Sequence, residues 1–168
     1  MSTRVSKKRL SWNEKLNNSK GLPKVGPIGP TMSKRWGEGT MVVPAPREVE
    51  AVMKSVPAGK LITIQEIRAM LARKHGTTIA CPLTTGIFAW IAAHAAEEEA
   101  GSRSGAAATT PYWRTLKAGG FLNEKYPGGA MAQKAKLEGE GHRVSLRGKR
   151  YAVVDYERSL AVPRASDR

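Results

Sequence analysis

Two short segments in the C-terminal half of the chain combine aromatic rings with cationic side chains. Pro111-Tyr112-Trp113-Arg114 places two large aromatics beside a guanidinium, and Lys125-Tyr126-Pro127-Gly128-Gly129 is a turn with one basic and one aromatic residue. Aromatic faces stack on nucleic-acid bases, each stack contributing roughly 1–3 kcal/mol, and cations bind phosphates. From these residues alone two interpretations stay open: packing inside a core or loop, and the wall of a pocket for an extruded base.

The cysteine and the histidines offer little further chemistry. Cys81 and the three histidines, at positions 75, 94 and 142, lack the close pairing of a zinc site, so we predict no metal and no cofactor. A single cysteine cannot form an internal disulfide, which favours a reducing compartment. Cys81 precedes Pro82 at a predicted helix start, where a thiolate would be stabilised. No histidine is near it in sequence, so we do not expect Cys81 to be a nucleophile.

The chain is strongly basic. Its 168 residues include 28 Lys and Arg against 14 Asp and Glu, a net charge of +14 that indicates a polyanionic partner. Residues 1–40 hold nine basic and two acidic residues, and the Gly and Pro of residues 21–30 exclude a regular helix or a central strand. We therefore expect a basic extended arm over 1–40, which attaches to phosphates or only keeps the chain soluble. Trp12 and Trp36 argue against simple disorder, because an aromatic in an arm can dock on a folded part.

Residues 41–160 have the pattern of one domain that is mainly α-helical with a small β-hairpin. The spacing of apolar residues predicts helices over 46–56, 64–75, 83–99 and 130–140, a hairpin within 142–155, a flexible loop over 101–110 and a tail over 161–168. Thr63 and Glu66 match the S/T-x-x-E capping box. The second and third helices, joined by a Gly-containing link, resemble a helix-turn-helix, and a plain helical hairpin in a core is the alternative.

The sequence gives no indication of a membrane span or a secretory signal. Residues 76–96 lack formal charge over about the length of a span, but they include Pro82, four threonines and His94, which favours a buried helix preceded by a turn. The basic N-terminal residues are not followed by an apolar region. We therefore expect a cytoplasmic, DNA-associated protein that does not bind membranes.

Four segments, in order, resemble the DNA-binding domain of alkylguanine-DNA alkyltransferases and their non-catalytic alkyltransferase-like relatives. The resemblance covers about residues 44–142. VPAGKLITIQEIRAML is similar to the start of that family's helix-turn-helix, TTGIFAW to its recognition helix, PYWRT to its active-site PCHRV, and GGFLNEKYPGG with LEGEGH to its closing segment. The resemblance implies a winged helix-turn-helix DNA-binding domain whose recognition helix enters the minor groove.

The resemblance also implies that the family's reaction is lost. In the family, the PCHRV cysteine takes the alkyl group from a flipped guanine and is activated through a histidine and a glutamate. Tyr112 stands at that cysteine, Trp113 at the histidine and Glu140 at the glutamate. A phenol with an ordinary pKa near 10 is a poor nucleophile at neutral pH. Ile64 stands at the tyrosine that presses on the DNA backbone, and Leu83 near the arginine finger that fills the vacated base stack.

Two sets of site residues follow. The predicted DNA contacts lie on the recognition helix, on the two aromatic segments and at the hairpin tip: Leu83, Thr84, Thr85, Ile87, Trp90, Arg114, Lys125, Arg147, Lys149 and Arg150. The predicted base pocket comprises Ile64, Tyr112, Trp113, Thr115, Tyr126, Pro127 and Glu140. We predict no catalytic residue.

The sequence therefore predicts a non-enzymatic, monomeric protein that binds double-stranded DNA, recognises alkylated or flipped guanine and acts in DNA repair signalling. The alternative is an adaptor that keeps the fold but holds a protein, RNA or ribosomal partner through Trp113, Tyr126 and the arm. An active methylated-DNA methyltransferase is the least favoured of the three.

Overall fold

A computed structural model of the chain describes residues 8–102 and 109–163, and within these ranges the fold is mainly helical. Its helices are α1 (Trp12–Asn17), α2 (Pro30–Trp36), α3 (Pro46–Lys54), α4 (Ile64–His75), α5 (Pro82–Ser102) and α6 (Gly129–Gly139). The four helices predicted from apolar spacing are confirmed as α3 to α6. None of the described helices is long and apolar enough to cross a membrane.

Short strands join the helices in three small sheets. The strands are β1 (Lys24–Pro27), β2 (Thr40–Val43), β3 (Ile62–Thr63), β4 (Ile79–Ala80), β5 (Thr115–Leu116), β6 (Val144–Arg147) and β7 (Arg150–Val153). In the first sheet β2 lies between antiparallel β1 and parallel β4, and in the second β3 runs parallel to β5. The third sheet is the predicted hairpin, β6–β7, which is confirmed.

The main core forms where α3 and α4 pack on α5. Val49 and Met53 of α3 and Ile67 and Leu71 of α4 are almost completely buried. The facing side of α5 consists largely of alanines, which let the helices approach closely: Ala89, Ala92, Ala93, Ala95 and Ala96 are all buried. Gly76 ends α4 with φ of +65°, a left-handed conformation that glycine adopts without strain. One face of α5 is thus packed against α3 and α4.

The start of α4 differs from the predicted capping box. Thr63 is the N-cap residue, but its hydroxyl accepts no hydrogen bond from the helix amides. It donates instead to Oε2 of Glu66 at 2.7 Å, and both side chains are almost completely buried. The capping-box prediction is therefore wrong, although the helix begins where it was expected.

Residues 8–40 fold onto the domain, which corrects the prediction of an extended arm for the part of it that the structure describes. β1 is an edge strand paired with β2, a position that tolerates Pro27 because one side of the strand needs no hydrogen bonds. α1 lies along α5, and its Leu16 is buried in the main core. Burial of apolar surface and the polar contacts of Trp12 explain why a basic segment remains attached.

Polar contacts fix α1 on α5. The backbone amides of Trp12 and Asn13 donate to the Glu98 carboxylate at 3.0 and 3.2 Å, and the Asn13 side chain donates to it at 3.0 Å. These bonds, led by the one from the Asn13 side chain, lower the pKa of Glu98. Glu98 thereby satisfies amides at the helix start that would otherwise lack partners. The predicted loop over 101–110 and tail over 161–168 lie largely outside the described residues.

Candidate nucleic-acid interface

The first two turns of α5 carry exposed apolar side chains. Leu83 is 71% exposed and Ile87 is 40% exposed, and they lie one turn apart on the same face. Thr84 is half-buried between them and the core. Thr85 is completely buried and donates its hydroxyl to the Cys81 carbonyl at 2.7 Å, which removes it from the residues that can contact DNA in this conformation.

Further along α5, Trp90 is joined to the loop that carries Lys125. The indole nitrogen of Trp90 donates to the Lys125 carbonyl at 3.1 Å, and Nε2 of His94 lies 3.1 Å from the same oxygen. Trp12 of α1 stacks on His94 at 4.4 Å between ring centroids and meets Trp90 edge-on at 4.8 Å. Trp90 is therefore partly covered by α1, while Lys125 itself stays exposed beside the helix.

The predicted base-pocket aromatics form a packed cluster. Tyr112 is 2% exposed and Tyr126 is 3% exposed, and their rings meet edge to face at 5.5 Å. Trp113 touches the other side of Tyr112 at the same centroid distance and is half-buried. We name Tyr112, Trp113 and Tyr126 the aromatic cluster. The structure brings these three predicted residues together, with the two tyrosines inside the protein.

The Tyr112 phenol is held in its neutral form. Its hydroxyl donates to Oε1 of Glu97 on α5 at 2.7 Å. Burial raises the pKa of Tyr112 well above its ordinary value, and the bond to the Glu97 carboxylate raises it further. A phenolate facing that carboxylate would suffer both desolvation and like-charge repulsion. At neutral pH the Tyr112 hydroxyl is thus a hydrogen-bond donor.

Arg114 and Glu140 form an internal ion pair. Nε and Nη2 of Arg114 donate to Glu140 at 3.0 and 2.6 Å, and Nη1 donates to the Val56 carbonyl at 2.8 Å. Burial raises the pKa of Glu140, but the hydrogen bonds and positive charge of Arg114 outweigh it and hold the pKa below its ordinary value. Both side chains are about 15% exposed. Arg114, predicted as a DNA contact, instead links the aromatic cluster to the segment after α3 and to the end of α6.

The backbone beside the aromatic cluster is fixed by Gln133 of α6, which the sequence analysis missed. Gln133 is 1% exposed, and its amide nitrogen donates to the Trp113 carbonyl at 3.1 Å. Its amide oxygen accepts from the Asn123 backbone nitrogen at 2.8 Å. Thr115 is completely buried two residues after Trp113. A glutamine in a helix has no distinctive pattern, so only the three-dimensional contacts reveal this role.

The remaining predicted residues surround these elements. Ile64 is half-buried against the main core, and Pro127 is half-buried in the turn before α6. That turn requires glycine at Gly128, whose φ is +77° and where a side chain would collide with Ala132.

The hairpin tip is basic and exposed. The guanidinium carbons of Arg150 and Arg147 lie 3.8 and 5.0 Å from the centroid of Phe121, and Lys149 is exposed between them. Among the described residues no group of three His, Cys, Asp or Glu side chains could hold a metal ion.

Two solved structures that are similar to this chain contain an alkyltransferase-like protein. One is S. pombe Atl1 in complex with damaged DNA containing O6-carboxymethylguanine, with a TM-score of 0.47, 18% identity, and coverage of 70% of this chain and 94% of that chain. The other is S. pombe ATL in complex with DNA, with a TM-score of 0.44 and the same identity and coverage. These are proteins of the kind that the sequence motifs resemble. No family model and no curated protein matches the chain.

Proposed function

We propose that the chain is a non-enzymatic DNA-binding protein in which α4 and α5 form a helix-turn-helix and β6–β7 forms the wing. The observation that carries the proposal is the start of α5, where Leu83 and Ile87 are exposed on a strongly basic protein. Exposed apolar side chains on a rigid helix are suited to a partner that covers them. Minor-groove proteins insert such side chains, leucine among them, between base steps.

The positive charge supplies affinity for the duplex in this proposal. Lys125 is exposed beside α5, and Arg147, Lys149 and Arg150 are exposed at the hairpin tip. Phosphate contacts of this kind position a protein on DNA without reading its sequence. Leu83 would then enter the minor groove while the basic tip of the wing binds phosphates of the DNA backbone.

The absence of alkyl transfer follows from the state of Tyr112. Its hydroxyl is buried, donates to Glu97 and has a raised pKa, so a phenolate attack on an alkyl carbon is strongly disfavoured. Cys81 is 7% exposed, which hides its thiol from a bulky substrate. The protein would therefore mark DNA for other factors, as in repair signalling, and would leave the DNA chemically unchanged.

Recognition of an alkylated guanine is the finer part of the proposal. Because the two tyrosines of the aromatic cluster are buried against each other, the half-buried Trp113 is the member on which an extruded base could stack. Nζ of Lys136 lies 4.8 Å from the centroid of the Trp113 ring, so a cation already lies at this face. Such a base would have to displace Lys136 or stack beside it.

The test is a titration of the full chain against plain duplex, O6-alkylguanine duplex and RNA of equal length at two salt concentrations. Each phosphate neutralised on duplex DNA contributes about −0.9 to the slope of log K against log salt. We expect duplex binding with a steep salt slope and tighter binding to the alkylated duplex. Affinity that is independent of salt would reject DNA binding. Equal affinity for the two duplexes would reject lesion recognition, and preference for RNA would favour an RNA-binding adaptor.

A further inference from the structure

A tryptophan of the N-terminal segment contacts two guanidinium groups. The Trp36 ring has the guanidinium carbon of Arg68 at 4.5 Å from its centroid and that of Arg35 at 5.2 Å. We name these three residues the Trp36 cluster. Arg35 and Trp36 end α2, which precedes the segment with the alkyltransferase resemblance, and Arg68 lies on α4. The cluster is therefore built in part by residues that the resemblance does not cover.

Arg68 attaches the Trp36 cluster to the start of α5. Its Nε donates to the Ala80 carbonyl at 3.1 Å, and α5 begins two residues later at Pro82. Ala80 itself is fixed because it pairs with Val42 of β2. The cluster thus lies beside the turn that carries the exposed Leu83.

Neither guanidinium of the Trp36 cluster is paired with a carboxylate of the described residues 8–102 and 109–163. In the part of the chain that the structure describes, neither Arg35 nor Arg68 forms an ion pair, whereas Arg47 and Arg114 each pair with a glutamate. Burial lowers the pKa of Arg68, and repulsion from Arg35 lowers it further. Two neighbouring cations that repel each other are stabilised by an anion bound between or beside them.

We propose that the Trp36 cluster binds a backbone phosphate of the DNA next to α5 and thereby sets how Leu83 enters the groove. This inference rests on the proposed function and adds a contact made by α2. A guanidinium matches the oxygens of a phosphate with two parallel hydrogen bonds. Stacking on Trp36 orients both guanidiniums in advance, so less side-chain entropy is lost on binding.

The test compares three charge-removing variants on one duplex. Arg35→Gln and Arg68→Gln remove one cation each from the Trp36 cluster, and Arg73→Gln removes an exposed cation five residues further along α4. We expect each cluster variant to lower the steepness of the salt slope by about 0.9, which corresponds to roughly eightfold weaker binding at 0.1 M salt. Arg73→Gln should leave slope and affinity within twofold of the wild type.

Arg35→Gln is the decisive variant because Arg35 is exposed and forms no hydrogen bond to another described residue, so its loss should not unfold the protein. Thermal unfolding of all three variants checks this. If the wild type binds DNA with a steep salt slope but Arg35→Gln behaves like Arg73→Gln, the phosphate site is rejected and the proposed function stands. If the wild type itself shows no salt-dependent binding, the proposed function fails as well.

A second measurement locates the phosphate. Single phosphates of the duplex are replaced one at a time by neutral methylphosphonates, and binding by the wild type and by Arg35→Gln is compared. One position should weaken the wild type severalfold and leave Arg35→Gln almost unaffected, because the cation that it would contact is already gone. Equal losses for both proteins at every position would contradict a contact between Arg35 and a defined phosphate.

Discussion

The start of α5 and the aromatic cluster differ in how far their side chains are exposed to solvent. Leu83 and Ile87 are apolar and exposed, while Tyr112 and Tyr126 carry polar hydroxyls and are buried. A protein that keeps an apolar surface on a rigid helix gains from it only when a partner covers that surface.

Under the proposed function, this difference separates the surface that binds DNA from the buried aromatic cluster. The start of α5 stays accessible, whereas the buried Tyr112 ring packs against two other rings and its hydroxyl donates to Glu97. Substitutions in the two regions should therefore affect different properties of the protein. Changes in the aromatic cluster should alter stability, and changes at the start of α5 should alter affinity for DNA.

Tyr112→Ala tests the buried side of this contrast and should have the largest effect. Truncation of a buried aromatic ring removes its contacts and leaves a cavity, which we expect to lower the free energy of unfolding by about 3–5 kcal/mol. Denaturant unfolding measures this loss. Tyr112→Phe is the control, since it keeps the ring and loses only the bond to Glu97, at a cost of about 0.5–1.5 kcal/mol. Small effects of both variants would show that the cluster opens as a pocket.

Leu83→Glu tests the exposed side. A carboxylate at the tip of α5 would face the phosphates, so we expect duplex affinity to fall about 100-fold, roughly 2.7 kcal/mol, with little change in unfolding. Fluorescence anisotropy with a labelled duplex measures the affinity. Met131→Glu is the matched control, because Met131 is 58% exposed on α6. The substitution adds the same negative charge away from α5. Similar losses in both variants would mean that only net charge matters.

Glu140→Gln sharpens the contrast at the boundary of the aromatic cluster. The pKa of Glu140 is lowered in the fold, so its ionised form stabilises the protein above the ordinary value of 4.5, and this contribution is lost as the pH falls through the folded pKa. We expect the variant to be about 2 kcal/mol less stable than the wild type at pH 7, and we expect this difference to shrink as the pH falls below 4.5. Urea unfolding over a series of pH values measures this.

Glu138→Gln, two residues away, provides the comparison for that experiment. Glu138 forms a pair with Lys134 and is 45% exposed, so its loss should change stability by less than about 0.5 kcal/mol. If Glu140→Gln lowers the free energy of unfolding by the same amount at every pH, the ion pair with Arg114 is not the cause of that loss.

The sequence predicts the positions of α3 to α6 well because helix formation depends on patterns within a few neighbouring residues. The apolar spacing of α3 and α4 and the Gly at position 76 act within a few residues, and the structure has these elements where they were expected. The proximity of Tyr112, Trp113 and Tyr126 was inferred from the resemblance rather than from spacing.

Contacts between distant residues could not be read from the sequence in the same way. Arg114 looked like a free cation because Glu140 lies 26 positions away. The attachment of α1 depends on Glu98, which is about 85 positions from Trp12 and Asn13. A run of Gly and Pro correctly argued against a central strand but not against an edge strand, since only the tertiary structure decides whether a partner such as β2 is near.

The attachment of α1 to α5 has a consequence during synthesis. α1 ends at residue 17, but α5 is complete only at residue 102. At roughly 5–20 residues per second, a ribosome needs several seconds to about a quarter of a minute to make the intervening chain. During that interval Trp12 and Leu16 lack the α5 surface that covers them in the folded protein. The apolar side of α1 therefore stays exposed until α5 has been made.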